Sequence, residues 1–210
     1  MTPLPQAVAA DQRGSAYGQH GLTAVDRFGV WLSKRAILRR MRGAADLVVA
    51  DLGCGYQAVL LRALLPWLRE GVGVDLKVSG EARQIRKLSF VEGRLEDALP
   101  RLAEDRFDLV LLISVLEHLA DPLGALRHCW RVLTAGGRLL VNVPTWRGKW
   151  FLECSAFRLG TSPACEMDDH KMYYDKRDLW PLLVKAGFKP SRLELRYHKF
   201  GLNLFAVAVK

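Results

Sequence analysis

The 210-residue chain has no apolar run approaching the ~18 residues of a membrane-spanning helix, no internal repeat and no low-complexity tract. Its four cysteines, Cys54, Cys129, Cys154 and Cys165, form no C-x-x-C pair. That excludes a zinc ribbon and reads as reduced thiols of a cytoplasmic protein. The first residues, MTPLPQAVAADQRG, lack a basic stretch followed by an apolar one, so no secretion signal is expected. The middle of the chain also lacks net charge, since residues 47–146 hold twelve basic and twelve acidic side chains. The whole excess of +9 therefore sits on the flanks, +4 on residues 1–46 and +5 on residues 147–210. A partner attracted by positive charge would meet the flanks and not the centre.

What is present is a globular composition, half hydrophobic and a quarter charged, with length for one domain and an appendage. Residues 1–46 read as a mobile arm followed by a basic amphipathic helix over 26–42. Its predicted inward stripe is Phe28, Trp31, Leu32, Leu38 and Met41, and its outer face is Arg27, Lys34, Arg35, Arg39, Arg40 and Arg42. The helix is either packed on the domain with that face simply solvated, or it is a lid or a contact for anionic lipid or polyphosphate at a membrane periphery.

Residues 47–210 read as one α/β domain. LVVADL at 47–52 is the uninterrupted apolar run of a strand buried on both faces. A helix follows it and ends near Pro66. Further strands are expected at 73–76, 88–91, 107–113 and 138–143, with a helix at 123–133. A helix at 178–186 then leads to two β-rich runs, 192–197 and 203–209, too close together for a helical crossover and so antiparallel. The expected architecture is a doubly wound, mostly parallel seven-stranded sheet closed by a C-terminal antiparallel hairpin.

The loop Asp51-Leu52-Gly53-Cys54-Gly55-Tyr56-Gln57-Ala58 joins the first strand to a helix. Glycines there permit a tight turn and close approach of a ligand. Gly53-x-Gly55-x-x-Ala58, with Asp75 twenty residues beyond Gly55, also satisfies a dinucleotide fingerprint. Asp51 argues against that ligand, because a carboxylate at this place repels a pyrophosphate and attracts an ammonium or sulfonium.

The segments VVADLGCG, GVDL, FDLVLLISVLEHLADP, RVLTAGGRLLVNVP and DHKMYYDKRDLWPLLVKAGF, in that order, resemble the class I S-adenosylmethionine-dependent methyltransferases of the small-molecule, type 11-like branch. The resemblance covers residues 47–210. It implies a Rossmann-like methyltransferase fold with S-adenosylmethionine as cofactor and S-adenosylhomocysteine as product. It also implies a cofactor site of Asp51, Gly53, Cys54, Gly55, Asp75, Leu76, Leu95, Glu96, Ser114 and His118, with Asp75 on the ribose hydroxyls. Two positions depart from the pattern: Gln57 stands where a third glycine is common, and Arg94 where an acid commonly meets the adenine.

The acceptor side is less determined. His118, in Leu116-Glu117-His118 beyond the fourth strand, is the first candidate base, and His170, in Asp168-Asp169-His170, the second; each could instead be a hydrogen-bonded structural histidine. Trp146, Tyr173 and Tyr174 are candidates for the acceptor pocket, against plain core packing. No metal site is expected, and Asp168 and Asp169 read as a solvated turn. The leading function is methyl transfer to a small-molecule, sugar or lipid-linked glycan acceptor. The alternatives are an RNA or ribosome-associated methyltransferase, a non-catalytic binding protein and a nicotinamide dehydrogenase. Nucleic acid is disfavoured because Ser114-Val115-Leu116-Glu117 replaces the Asn/Asp-Pro-Pro-aromatic signature used on exocyclic amino groups.

Overall fold

A computed structural model describes residues 16–19, 21–41, 43–149 and 171–210. A helix, α1 (Ala24–Arg40), precedes the strands β1 (Leu47–Leu52), β2 (Leu68–Asp75), β3 (Leu88–Glu92), β4 (Phe107–Ile113) and β5 (Leu133–Pro144). Between them lie α2 (Val59–Leu64), α3 (Gly80–Arg83), α4 (Leu95–Ala98) and α5 (Pro122–Val132), and after them α6 (Lys176–Ala186), β6 (Leu193–His198) and β7 (Asn203–Val209).

The seven strands form one sheet in the order β3-β2-β1-β4-β5-β7-β6. The first five are parallel, while β7 runs antiparallel to both β5 and β6. This is the sheet and closing hairpin that the alternation of patterns predicts. β1 is flanked by parallel partners and covered on both faces, which is why it reads as an unbroken apolar run. Side chains of β4 alternate accordingly, Leu109 and Leu111 to one core, Val110 and Leu112 to the other. Strand order reverses between β1 and β4, so a crevice opens beyond their carboxyl ends.

Three expectations need correction. β2 begins at Leu68, five residues before its predicted start, because Arg69 is accommodated by a register shift opposite Leu47 and Val48. Polar Arg69 and Glu70 hide that half of the strand from a hydrophobicity reading. β5 likewise begins at Leu133, ahead of the glycine turn, and shifts register against β4 between Phe107 and Leu109. The third correction concerns α1. The buried positions on it and just past its end are Ser33, Ile37 and Met41, one every fourth residue, with Ile37 and Met41 in the same buried cluster as Leu61, Leu140 and Phe205. Phe28 and Trp31, expected inside, are 52% and 49% exposed and stack on each other at 5.8 Å. The helix is therefore turned so that Trp31 stands beside its arginines on the outer surface, while Phe28, also half exposed, borders the cavity.

Candidate active site

The crevice is a cavity of about 990 Å³, walled by the β1–α2 loop, the ends of β2 and β4, the start of α4, and the β6–β7 corner. α1 and the turn around Tyr17 form its roof. Its floor is the glycine loop. The Gly53 and Cys54 amides both donate to the Val74 carbonyl, at 2.8 and 3.1 Å, which folds the loop over the end of β2. Gly53 has φ +83, and a Cβ there would overlap the side chain of Val115. Only glycine satisfies both conditions. The Gly55 amide donates to Asp75 Oδ2 at 2.7 Å, and the Leu76 amide to Asp75 Oδ1 at 2.8 Å. Asp75 is thus fixed in the cavity wall. Gln57 takes a scaffold role, since its Oε1 accepts from the Ser79 hydroxyl at 3.1 Å while Ser79 caps α3.

Asp51 sits at the end of β1, behind this loop and not in the cavity wall. It is 1% exposed, and neither carboxylate oxygen has a hydrogen-bond partner among the described residues. Burial, and secondarily the charge of Asp75, pushes its carboxyl up to about 8. An orphaned acid of this kind is costly unless a cation neutralises it. Burial together with Asp51 and Asp75 drives the Cys54 thiol far up, so it stays protonated and is not a nucleophile.

Beyond β3, Gly93 turns the chain (φ +144) and donates to the Asp75 carbonyl at 3.0 Å, placing Arg94, Leu95 and Glu96 in the wall. Beyond β4, Ser114 adopts a left-handed conformation (φ +56) and donates its amide to the Asn142 carbonyl at 2.8 Å. A short 3-10 turn, Leu116–His118, follows, with the His118 amide bonded to the Val115 carbonyl at 2.9 Å. His118 is 7% exposed and lines the cavity beside Glu117, which is 1% exposed.

The structure therefore gathers Gly53, Cys54, Gly55, Asp75, Leu76, Leu95, Glu96, Ser114 and His118 in one wall. It does not bring the three aromatic candidates there. Tyr173 and Tyr174 are 6% and 1% exposed, and the Tyr174 hydroxyl donates to the Leu116 carbonyl at 3.4 Å. Trp146 leans on Tyr173 at 5.6 Å and donates its indole N–H to Asp178 at 3.3 Å. Tyr174 thus braces the Leu116–His118 turn from behind, and Trp146 packs against its neighbour Tyr173. His170, Asp168 and Asp169 lie outside the described residues. Among the described residues no three metal-ligating side chains come together, and no helix is long and apolar enough to cross a membrane.

Sequence reasoning allowed α1 as a lid but named none of its residues as cavity lining, and it missed one corner. α1 contributes Phe28, Gly29, Leu32 and Ser33 to the cavity, and the β6–β7 corner contributes Lys199, Phe200, Leu202 and Asn203. The only sequence signal for the corner is the short Lys-Phe-Gly connection between two strands.

A family model described as a methyltransferase domain matches residues 50–141. An uncharacterized 37.1 kDa protein in transposon TN4556 of Streptomyces fradiae is 38% identical over 104 residues, 46% of this chain and 30% of that protein. The ubiquinone biosynthesis O-methyltransferase of Alkalilimnicola ehrlichii is 29% identical over 112 residues, 50% of this chain and 44% of that protein. The chain thus matches less than half the length of these relatives. Among solved structures, an S-adenosylmethionine-dependent methyltransferase from Archaeoglobus fulgidus superposes with a TM-score of 0.61 at 15% identity, covering 89% of this chain and 100% of that one. At that identity the likeness speaks to the fold.

Proposed function

We propose that the chain is a methyltransferase, in keeping with the methyltransferase-domain match over residues 50–141, and that it transfers a methyl group from S-adenosylmethionine to a small-molecule, sugar or lipid-linked glycan acceptor. The observation that carries this reading is the orphaned Asp51 carboxylate behind a loop that has room only for glycine at Gly53. Such a floor allows close backbone approach, and a bound cation would draw the proton off Asp51 and be met by its carboxylate, whereas a pyrophosphate would gain nothing from it. Gly53, Gly55 and Asp75 would hold the cofactor, with Leu76, Leu95 and Glu96 along its length. When bound, S-adenosylmethionine supplies an electrophilic methyl group on a sulfonium.

What the chain itself does is hold the acceptor in line and exclude water, and positioning of this kind is worth ~7–11 kcal/mol. His118 is the proton acceptor for a hydroxyl nucleophile, an effect of ~10²–10⁴-fold. The cavity's volume leaves space for an acceptor beside the cofactor. The relative named for ubiquinone biosynthesis is an O-methyltransferase, which favours an oxygen nucleophile here.

The outer face of α1 supports presentation of the acceptor at an anionic surface. Phe28 and Trp31 stand exposed beside Arg27, Arg35 and Arg39, and the Arg35 guanidinium lies 5.6 Å from the Trp31 ring centre. Aromatics amid cations suit the boundary of an anionic bilayer. The test of the function is incubation with S-adenosylmethionine labelled on its methyl group and a cell extract divided into small-molecule, lipid, RNA and protein fractions. Label is expected in the small-molecule or lipid fraction; label confined to RNA or protein would overturn the acceptor class.

A further inference from the structure

Lys199 lies on the β6–β7 corner in an unusual backbone. Three successive residues, Lys199 (φ +50), Phe200 (φ +60) and Gly201 (φ +85), are left-handed. For the two non-glycine residues that conformation is strained, because Cβ crowds the neighbouring carbonyl. Strain held in place by its surroundings is a marker of a constrained, functional conformation.

The constraint delivers the amine to the cavity. Lys199 lines the wall, and its Nζ approaches the roof so closely that a Cβ on Gly29 would sit 3.6 Å away. Burial pulls its pKa down to about 8, partly offset by the charge of Glu117. Among the described residues the ammonium has no hydrogen-bonding or ion-pairing partner; Glu117 acts on it only at longer range. A desolvated cation aimed into a cavity without a partner is a site for an anion.

The strand order says which end of the cavity the amine serves. Asn203 of β7 is opposite Pro144 of β5, so the corner overhangs the same edge as the ends of β4 and β5. Asp75 ends β2, four strand positions from β7 and so roughly 19 Å away at ordinary strand spacing. Lys199 therefore serves the side of the cavity that holds Glu117 and His118, away from the ribose end. We propose that Lys199 anchors an anionic group of the acceptor, so that the acceptor carries a carboxylate or an ionised phenol. This rests on the methyltransferase reading and narrows it. The charge-assisted contact also explains why a lysine is tolerated in so apolar a wall, because it is neutralised whenever the acceptor is bound.

The test is calorimetry on the protein saturated with S-adenosylhomocysteine, titrated with 3-hydroxybenzoate and with its uncharged counterpart 3-hydroxybenzamide. The carboxylate is expected to bind at least about tenfold more tightly, the worth of one charge-assisted bond. Lys199→Met should abolish that preference and Lys199→Arg should retain it, with S-adenosylhomocysteine affinity unchanged in both. As pH rises above 8, wild-type affinity for the carboxylate should fall while that of Lys199→Arg holds, because the guanidinium stays charged. Equal binding of the two probes, no binding of either, or a preference that survives Lys199→Met would overturn the proposal. So would a loss of S-adenosylhomocysteine affinity in a folded Lys199→Met, which would assign the amine to the cofactor's own carboxylate. Failure of the wild-type protein to bind S-adenosylhomocysteine is a separate result, and it would strike at the methyltransferase reading itself.

Discussion

Val115 closes against Gly53 so tightly that the loop after β4 and the loop after β1 have space for each other only while residue 53 lacks a side chain. The two loops belong to the two strands that flank the switch point, so their contact couples the cofactor floor to the turn that carries Glu117 and His118.

Gly53→Ala should therefore damage both functions of that contact. The left-handed backbone alone costs ~1–2 kcal/mol, and the overlap with Val115 adds to it. Affinity for S-adenosylhomocysteine is expected to fall by at least about tenfold, measured by calorimetry. Adding Val115→Ala should recover part of the loss and leave the backbone share. Full recovery would show that φ at residue 53 is unimportant, and no recovery would show that the two loops are not coupled.

Asp51 sets up a trade between stability and binding. In the unfolded chain its carboxyl ionises near 3.8, and in the folded chain near 8. Between those values the folded state holds a proton that the unfolded state has released, so this group makes stability fall as pH rises from about 4 to about 8. Asp51→Asn should remove that slope and raise the melting temperature at pH 7.5 by roughly 3–6 °C, the equivalent of ~1–2 kcal/mol at this size. The same variant should bind S-adenosylhomocysteine much more weakly. Melting curves across pH 5–8 check the first expectation, and wild-type affinity in Asp51→Asn would contradict the second.

His118→Gln separates chemistry from architecture. With the proton acceptor gone, turnover on a hydroxyl acceptor should drop ~10²-fold or more, while cofactor affinity changes little. Because His118 is buried and part of a hydrogen-bonded turn, thermal melting must accompany the assay. Unchanged turnover would leave the histidine a structural one.

Trp31→Ser should leave the fold and cofactor affinity intact, since its ring is half exposed and lies outside the cavity wall. Co-sedimentation with vesicles containing anionic phosphatidylglycerol should decrease several-fold relative to the parent protein. Equal sedimentation of the two would remove α1 as a membrane contact.

The parallel sheet, the glycine loop and most of the cofactor wall were legible in the sequence, because each depends on local signals. β1 is apolar since it is covered on both faces, and Gly53 and Gly55 announce a turn. What was not legible depends on long-range placement. Arg69 and Glu70 concealed the first half of β2, since a register shift carries polar residues at little cost where the strand begins. The rotation of α1 is fixed by Ile37 and Met41 against Leu140 and Phe205, residues about a hundred or more positions away. Lys199 reaches the cavity only because β7 pairs with β5, which no spacing near Lys-Phe-Gly encodes. Tyr173 and Tyr174 illustrate the opposite error, for an aromatic pair next to a predicted site reads alike whether it lines the pocket or braces it.

The central claim is tested most directly by calorimetric titration of the purified protein with S-adenosylhomocysteine, with NADH as the comparison. The account predicts micromolar binding of S-adenosylhomocysteine, ~8 kcal/mol, and no binding of NADH. Binding of NADH with none of S-adenosylhomocysteine would contradict it and make the glycine loop a dinucleotide site despite Asp51.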